Sequence, residues 1–173
     1  MPGASGYSLL EVMMAVAVSI IGLVSLLALF SQAVVTMFLV QEDLIAKQKT
    51  REALESVFTA RNTQDITFDT IENTPGGIFL DGFQPLQLAG DDGLIGTSDD
   101  GAVETLHLPG PDGLLNEGGD DVIRSLTNFE RRIEIVPVPT YTDLKQVNIT
   151  IRYTTSQGWT RSFQVSSYVS RYR

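Results

Sequence analysis

Cysteine is absent from the 173 residues, which removes disulfides, thiolate nucleophiles and Cys-based metal sites at once. There is one histidine, His107. With no second histidine, no phosphate-cradling loop and no His/Cys ligand spacing, no catalytic or zinc-binding constellation can be assembled, and an enzyme is not expected. His107 is expected to be an ordinary packed or surface residue. Lys and Arg are missing between Arg61 and Arg124, a span that holds thirteen acids. Such a face repels nucleic acid and anionic surfaces, so no nucleic-acid partner is expected. Charge of either sign is missing from Val12 to Gln41, and neither Pro nor Gly occurs from residue 23 to residue 74.

These gaps frame what is present. The uncharged run is about thirty residues long, and roughly twenty suffice for a helix to cross a bilayer. It is too long for a secretory signal peptide, whose apolar part is about 7 to 15 residues, and no small-residue cleavage site follows Gln32-Ala33. Glu11 stands at its head, with no basic side chain before Lys47. An ionisable group at the edge of an apolar helix costs at least about 2 kcal/mol and points to a functional partner. Ser19, Gly22, Ser25 and Ser31 supply small side chains that let helices approach closely.

Gly6-Tyr7-Ser8-Leu9-Leu10-Glu11-Val12 followed by a long apolar helix resembles the N-terminus of type IV pilins and type II secretion pseudopilins. The resemblance covers about residues 3 to 62. It implies cleavage by a prepilin peptidase after Gly6, N-methylation of Tyr7, and pairing of Glu11 with the α-amine so created, on the same chain or on a neighbouring subunit. It also implies other pilin or pseudopilin subunits and an inner-membrane assembly platform as partners, with the lipid bilayer before assembly. The leader, Met1 to Gly6, has no Lys or Arg, unlike the family's leaders. The expectation is therefore a start further upstream, or a chain begun at a chosen residue. The mid-helix proline of many major pilins and the C-terminal disulfide of many pilins are both missing, which favours a minor subunit and requires some other brace for the C-terminal region.

The expected fold class is α+β: a long N-terminal helix packed on a C-terminal antiparallel sheet, a type IV pilin fold. Residues 1–6 form the leader, 7–62 the helix with its membrane span at about 12–36, and 63–173 a β-rich exported domain. In the exported half of the helix, Val40, Leu44, Leu54, Val57 and Phe58 form the stripe expected to face the sheet, with Glu42, Glu52 and Glu55 elsewhere. Glu42, Asp43 and Lys47 are spaced to pair along the helix. Turn formers dominate residues 63–122, with short strands expected at Gly77 to Leu80 and Val103 to Leu108. Alternation predicts three antiparallel strands, Arg132 to Val138, Val147 to Tyr153 and Trp159 to Val169, the last two joined at Thr155 to Gly158. From Arg124 onward eight bases face three acids. This basic third is expected to meet an acidic face of its own domain.

Asp92-Gly93-Leu94-Ile95-Gly96-Thr97-Ser98-Asp99-Asp100 and Asp112-Gly113-Leu114-Leu115-Asn116-Glu117-Gly118-Gly119-Asp120-Asp121 resemble each other. Oxygen-rich, Gly-bent loops suit a hard cation, so Asp91, Asp92, Asp99, Asp100, Asp112, Glu117, Asp120 and Asp121 are candidate Ca2+ ligands. The spacing is that of neither an EF-hand nor the Gly-rich nonapeptide repeats. The functional expectation is a structural, minor subunit of a type IV pilus or related filament. Alternatives are a type II secretion minor pseudopilin, or a membrane-anchored calcium-binding or adhesive domain that never polymerises. The expected location is the bacterial inner membrane, single pass, with the C-terminal domain exported, and a cell-surface or periplasmic filament after assembly.

Overall fold

A helix of 55 residues, α1 (Leu9–Thr63), opens the chain. The structure is a computed structural model describing Gly6 and residues 8–115 and 119–172. Tyr7 and Glu117 lie outside the described residues. The chain divides into two compact units, residues 1–41 and 42–173.

The first unit is helix alone. Its backbone starts on Ser8, whose carbonyl accepts from the N–H groups of Glu11 and Val12 at 3.0 and 3.2 Å. Large apolar side chains on every side of it are exposed, from Leu9 to Phe38. A helix apolar all round belongs in an apolar medium, and this one is long and apolar enough to cross a membrane. Its hydroxyls satisfy themselves on the preceding turn: Ser19 donates to the Ala15 carbonyl at 2.8 Å, Ser25 to Ile21 at 2.8 Å and Thr36 to Gln32 at 2.9 Å. No water is required to pair them.

In the second unit the rest of α1 packs on an antiparallel sheet. The buried positions are Glu42, Ala46, Thr50, Ala53, Val57 and Ala60. This corrects the expected stripe: Val57 is on it, but Val40 and Leu44 are exposed and Leu54 and Phe58 are only partly covered. The face that meets the sheet is built from small side chains, which let a helix lie close against flat strands, while the bulky residues flank it. Periodicity counted from large residues alone points a little off this face.

The main sheet has the order β1 (Gln84–Pro85), β4 (Phe129–Val138), β5 (Tyr141–Thr154), β6 (Thr160–Ser170), all antiparallel. A separate ribbon pairs β2 (Thr105–Leu108) with β3 (Val122–Ser125). The three long strands occur where alternation predicted them; β4 and β5 run longer, and β6 has the predicted length shifted by one residue. β4 continues to Val138 through a register irregularity at Pro137/Val138, where proline cannot donate to the ladder. Gly77 to Leu80 is not a strand. Only a single bridge, Asn73 to Phe79, forms there, because the Asn73 side chain takes the place of a neighbouring strand: its amide donates to the Ile133 carbonyl at 2.7 Å and its Oδ1 accepts the Ile135 N–H at 2.7 Å.

Two apolar clusters fill the space beneath. One gathers Ala53, Val57 and Ala60 with Ile71, Phe79, Ile133, Val147 and Ile149. The other gathers Ala46 with Leu86, Leu126, Phe129, Ile151 and Tyr153, and Phe129 stacks on Tyr153 at 5.1 Å between ring centres.

The brace that a disulfide would supply is ionic. Lys145, buried in β5, donates to the carbonyls of Phe68 and Ile71 at 3.0 and 3.1 Å and to Glu72 at 2.9 Å, so all three ammonium protons are used. Arg171 reaches Asp69 at 2.8 Å and Asp143 at 3.0 Å. Together they tie the segment after α1 to the sheet.

Candidate functional site

The first acidic loop is closed by its own carboxylates. The Gly93 N–H donates to the Gly90 carbonyl at 3.1 Å, and the Leu94 N–H donates to Asp92 at 2.7 Å. Asp100 accepts from the N–H groups of Gly96 and Thr97, at 2.8 and 3.3 Å. Asp99 accepts from the Thr97 hydroxyl at 2.6 Å and the Asp92 N–H at 3.2 Å. Those last two bonds hold the Asp99 carboxyl below its ordinary range. Burial pushes Asp100 up, against the pull of the Gly96 and Thr97 N–H groups and of Arg131.

Gly96 is required at its position. Its φ is +87°, and a Cβ there would lie 2.8 Å from the Ile133 side chain. With the loop so bent, Leu94, Ile95 and Thr97 are buried.

Arg131 of β4 supplies the countercharge. Its side chain is 2% exposed, and it lies 3.6 Å from Asp100 and 3.7 Å from Glu104. It also donates to the Gln87 carbonyl at 3.1 Å. Glu104 is met from the helix by Lys49, which also holds Glu52. Burial works against the Lys49 ammonium, but the hydrogen bonds it donates to Glu104 and Glu52, with the attraction of their charges, outweigh it and its pKa is raised. The basic third meets the acidic middle of its own domain in part: Arg131, Lys145 and Arg171 pair with acids of residues 65–104, whereas Arg132 and Arg152 pair with Glu134 and Glu130 beside them on the sheet, and Arg124 pairs with Glu42 at 2.9 Å. Asp43, not Glu42, pairs with Lys47, at 2.8 Å.

The second loop repeats the first in its opening. The Gly113 N–H donates to the Gly110 carbonyl at 3.0 Å and the Leu114 N–H to Asp112 at 2.9 Å. Gly93 and Gly113 share a positive φ, +69° and +75°. Gly90 and Gly110 play the same part: a Cβ at either would fall 2.4 to 2.5 Å from the second-to-last aspartate of its loop, Asp99 or Asp120. Leu114 and Leu115, however, are exposed.

Of the eight candidate calcium ligands, Asp92, Asp99 and Asp100 are brought together, but around N–H and hydroxyl donors. Asp91 is exposed beside them, and Asp112 and Asp120 are exposed in the second loop. Among the described residues no group of three His, Asp or Glu side chains is arranged as a metal-binding set. Glu11 lies in the first turn of α1, and Gly6 precedes it. His107 is exposed on β2, opposite Ile123.

Sequence reasoning missed the Lys49–Glu104–Arg131 chain of charges and the separate pair Glu42–Arg124. The one available signal was Arg131 and Arg132 side by side in an alternating strand, which forces one of them to the inner face. Comparison with family models, curated proteins and solved structures gave no match.

Proposed function

We propose that the chain is a structural, minor subunit of a type IV pilus or pilus-like filament, held in a membrane by the first part of α1 and assembled through it. The observation that carries this is one uninterrupted helix of 55 residues, uncharged from Val12 to Gln41, that continues into the packed core of an antiparallel sheet domain. A signal anchor has no need to continue as a domain's core helix. The head of that helix, Gly6 to Val12 with Glu11 as its one charge, fits processing and subunit pairing. A type II secretion minor pseudopilin is the same architecture in another machine. A calcium-binding or adhesive anchor is the remaining reading, and for calcium it rests on the second loop.

Co-expression with a prepilin peptidase is expected to shorten the chain by the mass of residues 1–6 and to add a methyl group to Tyr7. An intact Gly6–Tyr7 bond, read by mass spectrometry, defeats the proposal. Glu11→Gln is expected to insert in the membrane normally and to enter sheared filaments poorly, because its partner amine is left unpaired in an apolar setting. Normal incorporation removes that role from Glu11.

A further inference from the structure

The main sheet has two faces, and the last part of α1 takes one of them. On β5, Val147, Ile149, Ile151 and Tyr153 are buried with residues of that helix, so the residues between them point the other way. The register of β5 with β6 sets these out in pairs across the outer face: Gln146 beside Tyr168, Asn148 beside Ser166, and Thr150 beside Gln164. The β6 members are exposed and the β5 members half-buried among them.

This strip carries no charge. From Ser162 to Ser170, β6 has neither a charged residue nor a proline, although it is the last strand of its sheet and an exposed edge is ordinarily blunted with Lys or Pro. The charged side chains of the same face stand in pairs at the border of the strip. Arg132 pairs with Glu134, and Arg152 holds Glu130 at 2.9 Å while lying 3.9 Å over the Phe83 ring. What the strip offers instead is amide and hydroxyl, and each of these groups both donates and accepts. Gln146 Nε2 donates to Asn148 Oδ1 at 3.0 Å. The Gln164 amide and the hydroxyls of Ser166 and Tyr168 have no protein partner among the described residues.

At its Ser170 end the strip runs into a cavity. Tyr141, Thr142 and Tyr172 stand around the pair Leu144 and Ser170 and bound about 410 Å³ with them. The carboxylate in its wall is already met: Asp143 takes Arg171 at 3.0 Å and the Tyr172 hydroxyl at 3.2 Å. Tyr141, Tyr168 and Tyr172 are 63%, 54% and 72% exposed. From Leu144 and Ser170 to Thr150 and Gln164 is a run of six residues, about 20 Å.

We propose that this face binds a neutral, linear oligosaccharide, one sugar in the cavity and the following sugars along the strip. A sugar hydroxyl both donates and accepts, so amides and hydroxyls match it better than charges do. The C–H face of a sugar ring is apolar and rests on an exposed tyrosine ring, whose hydroxyl stays available at the edge. A polyanion finds no unpaired cation here, because Arg152 and Arg171 hold acids of their own. A length of about 20 Å calls for several sugars rather than one. Such binding goes beyond the filament reading, involves only the sheet domain, and holds whether or not α1 assembles.

The test titrates the full chain, kept in a detergent without a sugar headgroup, with linear hexasaccharides of glucose, mannose and N-acetylglucosamine, and with a heparin hexasaccharide as the anionic comparison. Calorimetry reads the binding. The expected result is saturable binding of a neutral hexasaccharide, about tenfold or more tighter than that of its monosaccharide and of heparin. Tyr168→Ala and Tyr172→Ala are each expected to weaken it about tenfold, as the loss of an aromatic anchor does. Both variants are expected to keep the melting temperature within about 2 °C, because the two rings stand in solvent. Absence of binding by all three neutral hexasaccharides at millimolar concentration overturns the proposal. Binding that both tyrosine variants leave unchanged overturns it too, since the sugar then sits elsewhere, and so does tighter binding of heparin. Concentration-dependent association that Tyr168→Ala abolishes, without sugar binding, overturns it in favour of contact between copies.

Discussion

Residues 92–100 and 112–121 open with the same turn, seat an aspartate against the same kind of glycine and end in Asp-Asp, yet Leu94 and Ile95 of the first are in the core while Leu114 and Leu115 of the second are exposed. The local sequence dictates the shape of each loop: aspartate capping the N–H two residues on, with glycine at positive φ, is sufficient for the bend. Burial is decided elsewhere, by whether a partner waits for the loop. The first has Arg131 for its last carboxylate and Phe79 and Ile133 beside Gly96. A duplicated motif can thus be structural in one copy and free for another use in the other.

The largest test of this comparison removes the countercharge. Arg131→Met leaves the Asp100 carboxylate buried without its cation and Glu104 with Lys49 alone, and the expected loss is about 3 to 5 kcal/mol of unfolding free energy. Asp120→Asn, on the exposed loop, is expected to stay within about 0.5 kcal/mol. Chemical denaturation of the full chain in detergent measures both, and equal effects would erase the distinction between the loops.

Next is the matched pair of leucines. Leu94 is 2% exposed and Leu114 51%. Leu94→Ala is expected to cost about 2 to 5 kcal/mol by cavity formation, and Leu114→Ala less than about 0.5 kcal/mol. A large cost at Leu114 would mean that the second loop is packed in the assembled state measured.

Calcium gives the smallest effect and sharpens the contrast most. The first loop meets its charge internally, so any calcium stabilisation is expected to come from the second. At 1 mM calcium and a dissociation constant of about 0.1 to 1 mM, the gain is about 0.4 to 1.4 kcal/mol, or a melting shift of about 2 to 6 °C. It should vanish in Asp112→Asn with Asp120→Asn and survive Asp100→Asn. An identical melting temperature with calcium and with chelator strikes out calcium altogether.

The helix and the three long strands were legible because each depends on a repeating pattern that one sequence displays in full: an uncharged run without Pro or Gly, and strict alternation through Ile149, Ile151 and Tyr153. The face of the helix was less legible. Ala46, Ala53 and Ala60 carry little hydrophobic signal, and what places them inward is the flatness of the sheet they meet. β1 was missed because two residues, one of them Pro85, leave no periodicity to read. The replacement of a strand by the Asn73 side chain leaves none either. The two loops were recognisable as a pair, but their different fates were not, since Arg131 lies about thirty residues from Asp100 and no local rule connects them. Glu11, Gly6 and Tyr7 stood out by motif alone, a signal that needs no packing to be read.

The last part of α1 also has a consequence for how the domain comes apart. Residues 42–63 are held to the rest of their unit by Glu42–Arg124, Lys49–Glu104 and the Arg61 bond to the Arg171 carbonyl, with the alanine-lined contact between them. Releasing that segment breaks ionic and apolar contacts together, so its detachment and the unfolding of the sheet are expected to be one cooperative event.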